Sequence, residues 1–456
     1  MKEIKIGKIT NKDVEEMVNG VSSNELLRDG LCGQDISNID LSELSVENFK
    51  KLSFDSSTIF SKKQLEKFNP YRPLEESKNP SKYIEELHDN GVDGTGQKIA
   101  IIDTNIDTEN ELFNNSNLEF IEDVMSGEKE VHGATVLSAL LQVVPNANVK
   151  YYADNKYDKN RDENILGYIK DIIKDGDIKI ISMSSRIKDD KIKKEVQELL
   201  EQNDVALIDS ETFYKKFTYC FREFDSNGEE KFQEAFCEEE ENNIQKREVL
   251  MSQVKSVLDS YGIDSSNMES AFDILKQNLI RDGREKDVAI SEEKKQLLLS
   301  DNVYGKNGYN YIQKQKAVEK EQKERLENGS IEVPCGGRTF IGKNGAYKYF
   351  GTCSASYTIP QVAGYFALAK QAQKDLSFDE FVKACDETSQ KVGHRKIINP
   401  LQMINSLQER EIVKENEFIK SLKSNVKDIS AGSLETEEDT YTRSLNGSSI
   451  SVEKTM

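Results

Sequence analysis

Between Lys98 and Asp209 the apolar residues fall into short unbroken runs, separated by stretches where they recur every three or four positions. Ile99-Ala100-Ile101-Ile102, within KIAIIDTNID, is such a run and predicts a strand buried on both faces of a parallel sheet. Further strands are predicted in VVPNANVKYYA (Val143–Ala153, after a turn), IKIISMSS (Ile178–Ser185) and VALID (Val205–Asp209). LSALLQVV reads as a buried helix, and residues 163–175 and 188–202 as amphipathic helices. Strands alternating with helices at this spacing predict an α/β fold, a doubly wound, mainly parallel sheet. Asp103 ends the first strand, at the edge where such sheets collect ligands. An aspartate capping the next turn is the equal alternative.

A second apolar pattern lies far downstream, in YFGTCSASYTIPQVAGYFALA (Tyr349–Ala369). Small residues, Gly351 to Ser356, give way to an apolar helix with Pro360 expected near its first turn, where a missing amide costs little. A serine ahead of such a helix is either an ordinary N-cap or a nucleophile at the positive end of the helix dipole. Between the two apolar regions, Glu211 to about Glu332 is polar. It is expected to be helix-rich, with Ile244, Met251, Val254, Leu258 and Tyr261 near heptad spacing and an acidic run at Glu238–Glu241. Its far end, VPCGGRTF (Val333–Phe340), returns to strand and turn chemistry. Residues 35–60 have apolar positions every two to five residues. That pattern fits a small strand-rich layer or a lead-in packed on the main domain, the second being preferred. The boundaries are therefore 1–80 for an N-terminal extension, 81–212 and 331–410 for two parts of one domain, 213–330 for an acidic helical insertion, and 411–456 for a charged, then Ser/Thr/Glu-rich tail expected to be disordered.

Composition narrows the function classes. The 456 residues carry 62 basic and 82 acidic side chains, a net charge of −20, which argues against nucleic acid or an anionic membrane surface as partner. No apolar run reaches the roughly 18 residues of a membrane span, and MKEIKIGKITNKDVEE does not resemble a signal peptide. The six cysteines are scattered without metal-ligand spacing, so structural zinc is not expected; no residue is assigned to a metal or a cofactor, and a cytoplasmic protein with reduced thiols is the default.

Three chemistry-bearing residues then stand out in order: Asp103, His132 at the head of its apolar helix, and a hydroxyl near Ser356. A neutral imidazole can take a serine proton, and a buried carboxylate fixes its tautomer. Taken alone, a histidine such as His132, heading an apolar helix directly before glycine, is more often structural. With the order Asp, His, Ser, the chain resembles the subtilisin-like serine peptidases. GTGQKIAIIDTNID is similar to the block around that family's acid, VHGATV to its histidine block, and VVPNANV to the turn that follows. IISMSS is similar to the cleft-lining strand, VPCG to a turn upstream of the nucleophile, and SASYTIPQVAG to the nucleophile block. The resemblance covers residues 81–211 and 331–410 and implies a triad of Asp103, His132 and Ser356, with Ser184 and Ser185 flanking a bound peptide. Counting back four from Pro360 selects Ser356, while Gly351-Thr352-Cys353 keeps a Cys353 register open.

Where the family has an oxyanion asparagine, this chain reads Asp209-Ser210-Glu211-Thr212, leaving Ser210 and Thr212 as candidate donors. The implied function is a serine endopeptidase acting on a peptide or protein, in a processing or regulatory role, with a protein partner engaged through the helical insertion. The alternative is a catalytically silent protein of that fold that binds peptides or partner proteins as a regulator.

Overall fold

A computed structural model describes residues 30–106, 111–114, 117–121, 131–155, 158–224, 230–234, 255–264, 268–284, 320–321, 323–342, 345–351 and 353–414, with single positions 14, 252, 288 and 417. The N-terminal part contributes α1 (Val46–Phe49), β1 (Phe54–Asp55), α2 (Lys62–Phe68), α3 (Tyr71–Glu76) and α4 (Lys82–Asp89). Ser45, Ser61 and Ser81 cap α1, α2 and α4 through their side chains, which is why such short polar segments are helical. Residues through Leu407 form one unit and Gln408–Met456 another, of which residues 408–414 are helical.

The central sheet is built from β2 (Lys98–Asp103), β3 (Leu118–Phe120), β4 (Asn148–Ala153), β5 (Ile180–Met183) and β6 (Ala206–Asp209). Its strands run in the order β3-β4-β2-β5-β6, every neighbouring pair parallel. Helices α5 (Val131–Leu141), α6 (Arg161–Asp175) and α7 (Asp190–Asn203) connect them. Both faces of β2 are covered. Ile99 and Ile101 join the core formed with α5, whereas Ala100 and Ile102 join a separate core formed with α6 and α7. The α/β, doubly wound parallel sheet expected from the apolar runs is therefore the architecture. The chain leaves β2 for β3 and β4 on one side, then crosses to β5 on the other, so the carboxyl ends of β2 and β5 flank a topological switch point.

After β6 the chain departs from expectation. Helix α8 (Ser210–Lys216) is followed by two strands, β7 (Phe217–Phe224) and β8 (Glu230–Glu234), where a helical block was expected. FTYCFREF buries Phe217, Tyr219, Cys220 and Arg222, and β7 pairs in parallel with β9 (Ile331–Gly336), more than a hundred residues downstream. The heptad positions Ile244, Met251 and Val254 and the run Glu238–Glu241 lie outside the described residues. Helix α9 (Met268–Arg281) packs with Leu258 and Ile263 in a small core of its own. The remaining elements are β10 (Arg338–Ile341), β11 (Tyr347–Phe350), α10 (Ala355–Ala372), α11 (Phe378–Thr388), β12 (Gln390–Val392) and β13 (Arg395–Ile397). They complete a sheet β12-β13-β9-β7-β8 and a smaller antiparallel one, β1-β11-β10.

Through β1 the N-terminal layer reaches the strand that leads into α10. Phe54 pairs opposite Tyr349 with ring centroids 5.0 Å apart, and Gly351 N–H donates to Ser53 Oγ at 3.2 Å. A Cβ on Gly351 would stand 2.3 Å from the Lys51 carbonyl, so the two chains touch backbone to backbone.

Helix α10 is buried at every position from Tyr357 to Ala369, as befits a helix that is apolar all round. It packs against α5 at Gly364, where an added Cβ would lie 2.8 Å from both Cβ and Cγ1 of Val143. Gly364→Ala is therefore expected to lower stability by about 1–2 kcal/mol, because overpacking outweighs the gain in helix propensity of roughly 1 kcal/mol. The urea midpoint measures this, and an unchanged or higher midpoint contradicts the contact.

Candidate functional site

Asp103 is the last residue of β2 and is 5% exposed. Its Oδ1 accepts from the Thr104 amide at 2.8 Å and lies 2.6 Å from Nδ1 of His132, the second residue of α5. A carboxylate only accepts, so Nδ1 carries the hydrogen and Nε2 is left as the basic nitrogen. Thr104 stitches strand to helix: its hydroxyl accepts from Gly133 N–H at 3.1 Å, one of the amides that α5 cannot pair internally, and its carbonyl accepts from the Tyr151 hydroxyl at 2.7 Å. The His132 ring faces Tyr357, centroid to centroid at 5.7 Å, and its side chain is 28% exposed.

Ser356 occupies the second position of α10. Ser354 is the residue that caps this helix, its Oγ accepting from Ser356 N–H at 3.2 Å. Capping duty thus falls on Ser354 and leaves the Ser356 hydroxyl free of it. Pro360 stands at the sixth helical position, not in the first turn, so it removes the amide that would have bonded the Ser356 carbonyl. The Ser184 hydroxyl, just past β5, donates to that carbonyl at 2.8 Å instead. No hydrogen bond between the Ser356 hydroxyl and His132 is found among the described residues; the His132 ring meets that of Tyr357, the next residue.

The other expected site residues have partners inside the protein. The Ser185 hydroxyl accepts from Arg161 Nη2 at 2.6 Å, and its carbonyl accepts from Ser210 N–H at 3.1 Å. Thr212 N–H donates to Asp209 Oδ1 at 2.7 Å, the cap of α8. The main-chain amides of both candidate donors, Ser210 and Thr212, are therefore engaged within the protein. Thr212 also borders a cavity of about 380 Å³ with Asp209, Lys193 and Phe378, and none of Asp103, His132 or Ser356 lines it. Among the described residues no group of His, Cys, Asp and Glu is arranged to hold a metal ion, and no helix is long and apolar enough to cross a membrane.

Sequence reasoning missed Asp154 and Arg161, a buried ion pair beside Asp103 with Nη2 to Oδ2 at 2.5 Å. The one available signal was an aspartate directly following a predicted strand.

No protein-family model and no curated protein matches this chain. Similar solved structures include the prenylagaramide maturation protease PagA, 12% identical over 72% of this chain and 99% of that one, TM-score 0.39. The PatG macrocyclase domain is 10% identical, covering 72% of this chain and 95% of its own, TM-score 0.38. A subtilase cytotoxin SubAB assembly is 9% identical, covering 75% and 98%, TM-score 0.40. Similarity this low carries neither reaction nor substrate to this chain, and its function has to be argued from its own residues.

Two thiols lie near the start of α10. Burial pushes the Cys335 thiol up, and its sulfur bridges the Ser354 amide (3.3 Å) and carbonyl (3.1 Å), whereas Cys353 is half-buried. A raised pKa means less thiolate at a given pH, so iodoacetamide at pH 8 is expected to modify Cys353 well ahead of Cys335. Peptide mass spectrometry reads the order, and faster labelling of Cys335 contradicts it.

Proposed function

We propose that the protein is a subtilisin-like serine endopeptidase whose triad is Asp103, His132 and Ser356. The observation that carries this reading is the 2.6 Å Asp103–His132 bond at a sheet switch point, with the imidazole turned toward the residue after Ser356. In the proposed reaction Ser356 Oγ attacks a peptide carbonyl as Nε2 of His132 takes its proton. Asp103 holds the tautomer and stabilises the imidazolium. Collapse of the tetrahedral adduct breaks the C–N bond, and the imidazolium gives its proton to the leaving amine. Water, deprotonated by the same nitrogen, then releases the acid and regenerates Ser356. The substrate lies extended along the main chain at Ser184 and Ser185, whose hydroxyls hold the frame. The role proposed is processing or regulation inside the cell.

One observation favours a second reading, a silent protein of the same fold that binds peptides. At the end of β6 an acidic side chain, Asp209, caps α8 and occupies Thr212 N–H, while Ser210 N–H is bonded to Ser185. Loss of one oxyanion donor costs about 10²–10³ in rate.

A fluorophosphonate probe separates the two. Wild type and Cys353→Ala are expected to label and Ser356→Ala is not, while Asp103→Asn slows labelling by about 10³–10⁴-fold. Labelling that survives Ser356→Ala rejects the assignment, and absent labelling with intact peptide binding establishes the silent reading.

A further inference from the structure

Two charged side chains beside the site take no part in the chemistry just described. Asp154 stands one residue past β4, its N–H bonded to the Asp103 carbonyl, and is 7% exposed. Arg161, the first residue of α6 and 9% exposed, donates Nε to both Asp154 oxygens at 2.9 Å and Nη2 to Oδ2 at 2.5 Å. Its other bonds run from Nη2 to the Ser185 hydroxyl at 2.6 Å and from Nη1 to the Arg186 carbonyl at 3.1 Å and to Asp162 Oδ1 at 3.5 Å. The next residue, Asp162, accepts from the amides of Lys188 and Asp189, each at 2.8 Å. The first turn of α6 thus grips both ends of residues 185–189, and Ser184, at the head of that loop, bonds the Ser356 carbonyl.

We propose that Arg161 is a positioning residue that fixes the loop after β5 against the start of α10 and offsets the charge of Asp154 beside Asp103, the carboxylate that holds the His132 imidazole. The proposal rests on the Asp103–His132 pair described above and deepens the peptidase reading.

A second ionised carboxylate at this point would be costly. Burial pushes the Asp154 carboxyl up; its bonds to Arg161 pull it down, and the charges of Asp103 and Asp162 push it further up. Arginine suits the position because its planar fork can pair a carboxylate while donors remain for the loop, which a lysine ammonium cannot do. Among the described residues Asp103 on β2 and Tyr357 on α10 meet the His132 ring directly; Asp154, just after β4, and Arg161 and Asp162 on α6 lie behind Asp103, and the Tyr151 hydroxyl bonds the Thr104 carbonyl next to it. Arg338, on β10, bonds Gln142 at the far end of α5.

The test is an NMR titration of ring-labelled histidine. The chain has three histidines, and the signal lost in His132→Ala assigns the one of interest. Asp154→Asn removes the closer of the two carboxylates paired with Arg161, leaving the guanidinium charge to Asp162 at 3.5 Å, so the His132 midpoint is expected to fall by about half to one pH unit. Adding Arg161→Gln removes that charge, and the midpoint is expected to return to within about 0.2 units of the parent. Arg161→Lys keeps the charge but not the fork: the midpoint stays while amides 186–189 exchange faster, which keeps the proposal testable should the neutral variants not fold. A midpoint unmoved in Asp154→Asn, or not restored in the double variant, overturns the proposal. The titration does not depend on hydrolysis. A protein that fails to label with fluorophosphonate yet shifts its midpoint as stated loses the peptidase reading and keeps this one; a labelled protein with an unmoved midpoint does the reverse.

Discussion

Everything proposed for this chain depends on holding α5 and α10 in fixed relation, because one carries His132 and the other Ser356. Strand β10 does this with polar groups. Thr135 and Ser138, on α5, bond the carbonyl and amide of Ile341, and Gln142 Nε2 bonds the Thr339 carbonyl. From the same strand Arg338 sends Nη1 to Gln361 Oε1 on α10 and Nη2 to Gln142 Oε1, each at 2.7 Å. The guanidinium is fully buried, and burial pushes its pKa down; the two amide oxygens offset part of that cost, while the buried Nε has no hydrogen-bond partner among the described residues. Taking away one amide partner would leave a buried cation short of an acceptor, which typically costs about 1–3 kcal/mol or more for a charged group. Leucine packing alone would hold the two helices together but leave them freer to slide. The two amide oxygens fix the register.

A second layer of support comes from the N-terminal segment. β1 adds to β11, Gly351 meets the Lys51 carbonyl, and Phe54 stacks on Tyr349. The strand entering the Ser354–Ser356 turn is thus bounded by β10 on one side and β1 on the other. Further back, Arg222 of β7 donates to the carbonyls of Asn79 and Pro80, tying the same layer to the second sheet. Residues that read as a polar lead-in are part of what aims α10.

Much of this was legible in the chain because it depends on local pattern. Ile99–Ile102 and Ile180–Met183 are apolar on both faces, which only a covered parallel strand needs, so their carboxyl ends and Asp103 could be placed in advance. What stayed hidden depends on contacts between distant residues. β7 alternates aromatic with polar residues and finds its partner across a long insertion, so a polar average over that block masked it. The division of labour among Ser354, Ser356 and Ser184 was hidden for a related reason: which hydroxyl caps the helix follows from where α10 begins, one residue after Ser354. Pro360 was useful as a spacing marker, but its physical effect, freeing the Ser356 carbonyl for Ser184, appears only when β5 and α10 are seen side by side.

The charges of the site are unevenly arranged for the reaction proposed. A positive imidazolium at His132 meets Asp103 directly, with Asp154 behind it held neutral as a pair by Arg161. A negative oxygen on the substrate meets much less. Ser356 N–H, a natural donor at the head of a buried helix, is bonded to Ser354 Oγ at 3.2 Å, and the end of β6 presents the carboxylate of Asp209. The 3.2 Å bond is long, and exchanging it for a developing oxyanion gives up only about 0.5–1.5 kcal/mol while gaining a charge-assisted bond. Asp209 offers no such exchange, since its carboxylate accepts the Thr212 amide and has no hydrogen to donate. For the proposed attack by Ser356, proton transfer is therefore the well-supplied half of the reaction, and stabilising the oxyanion is the half with fewer donors.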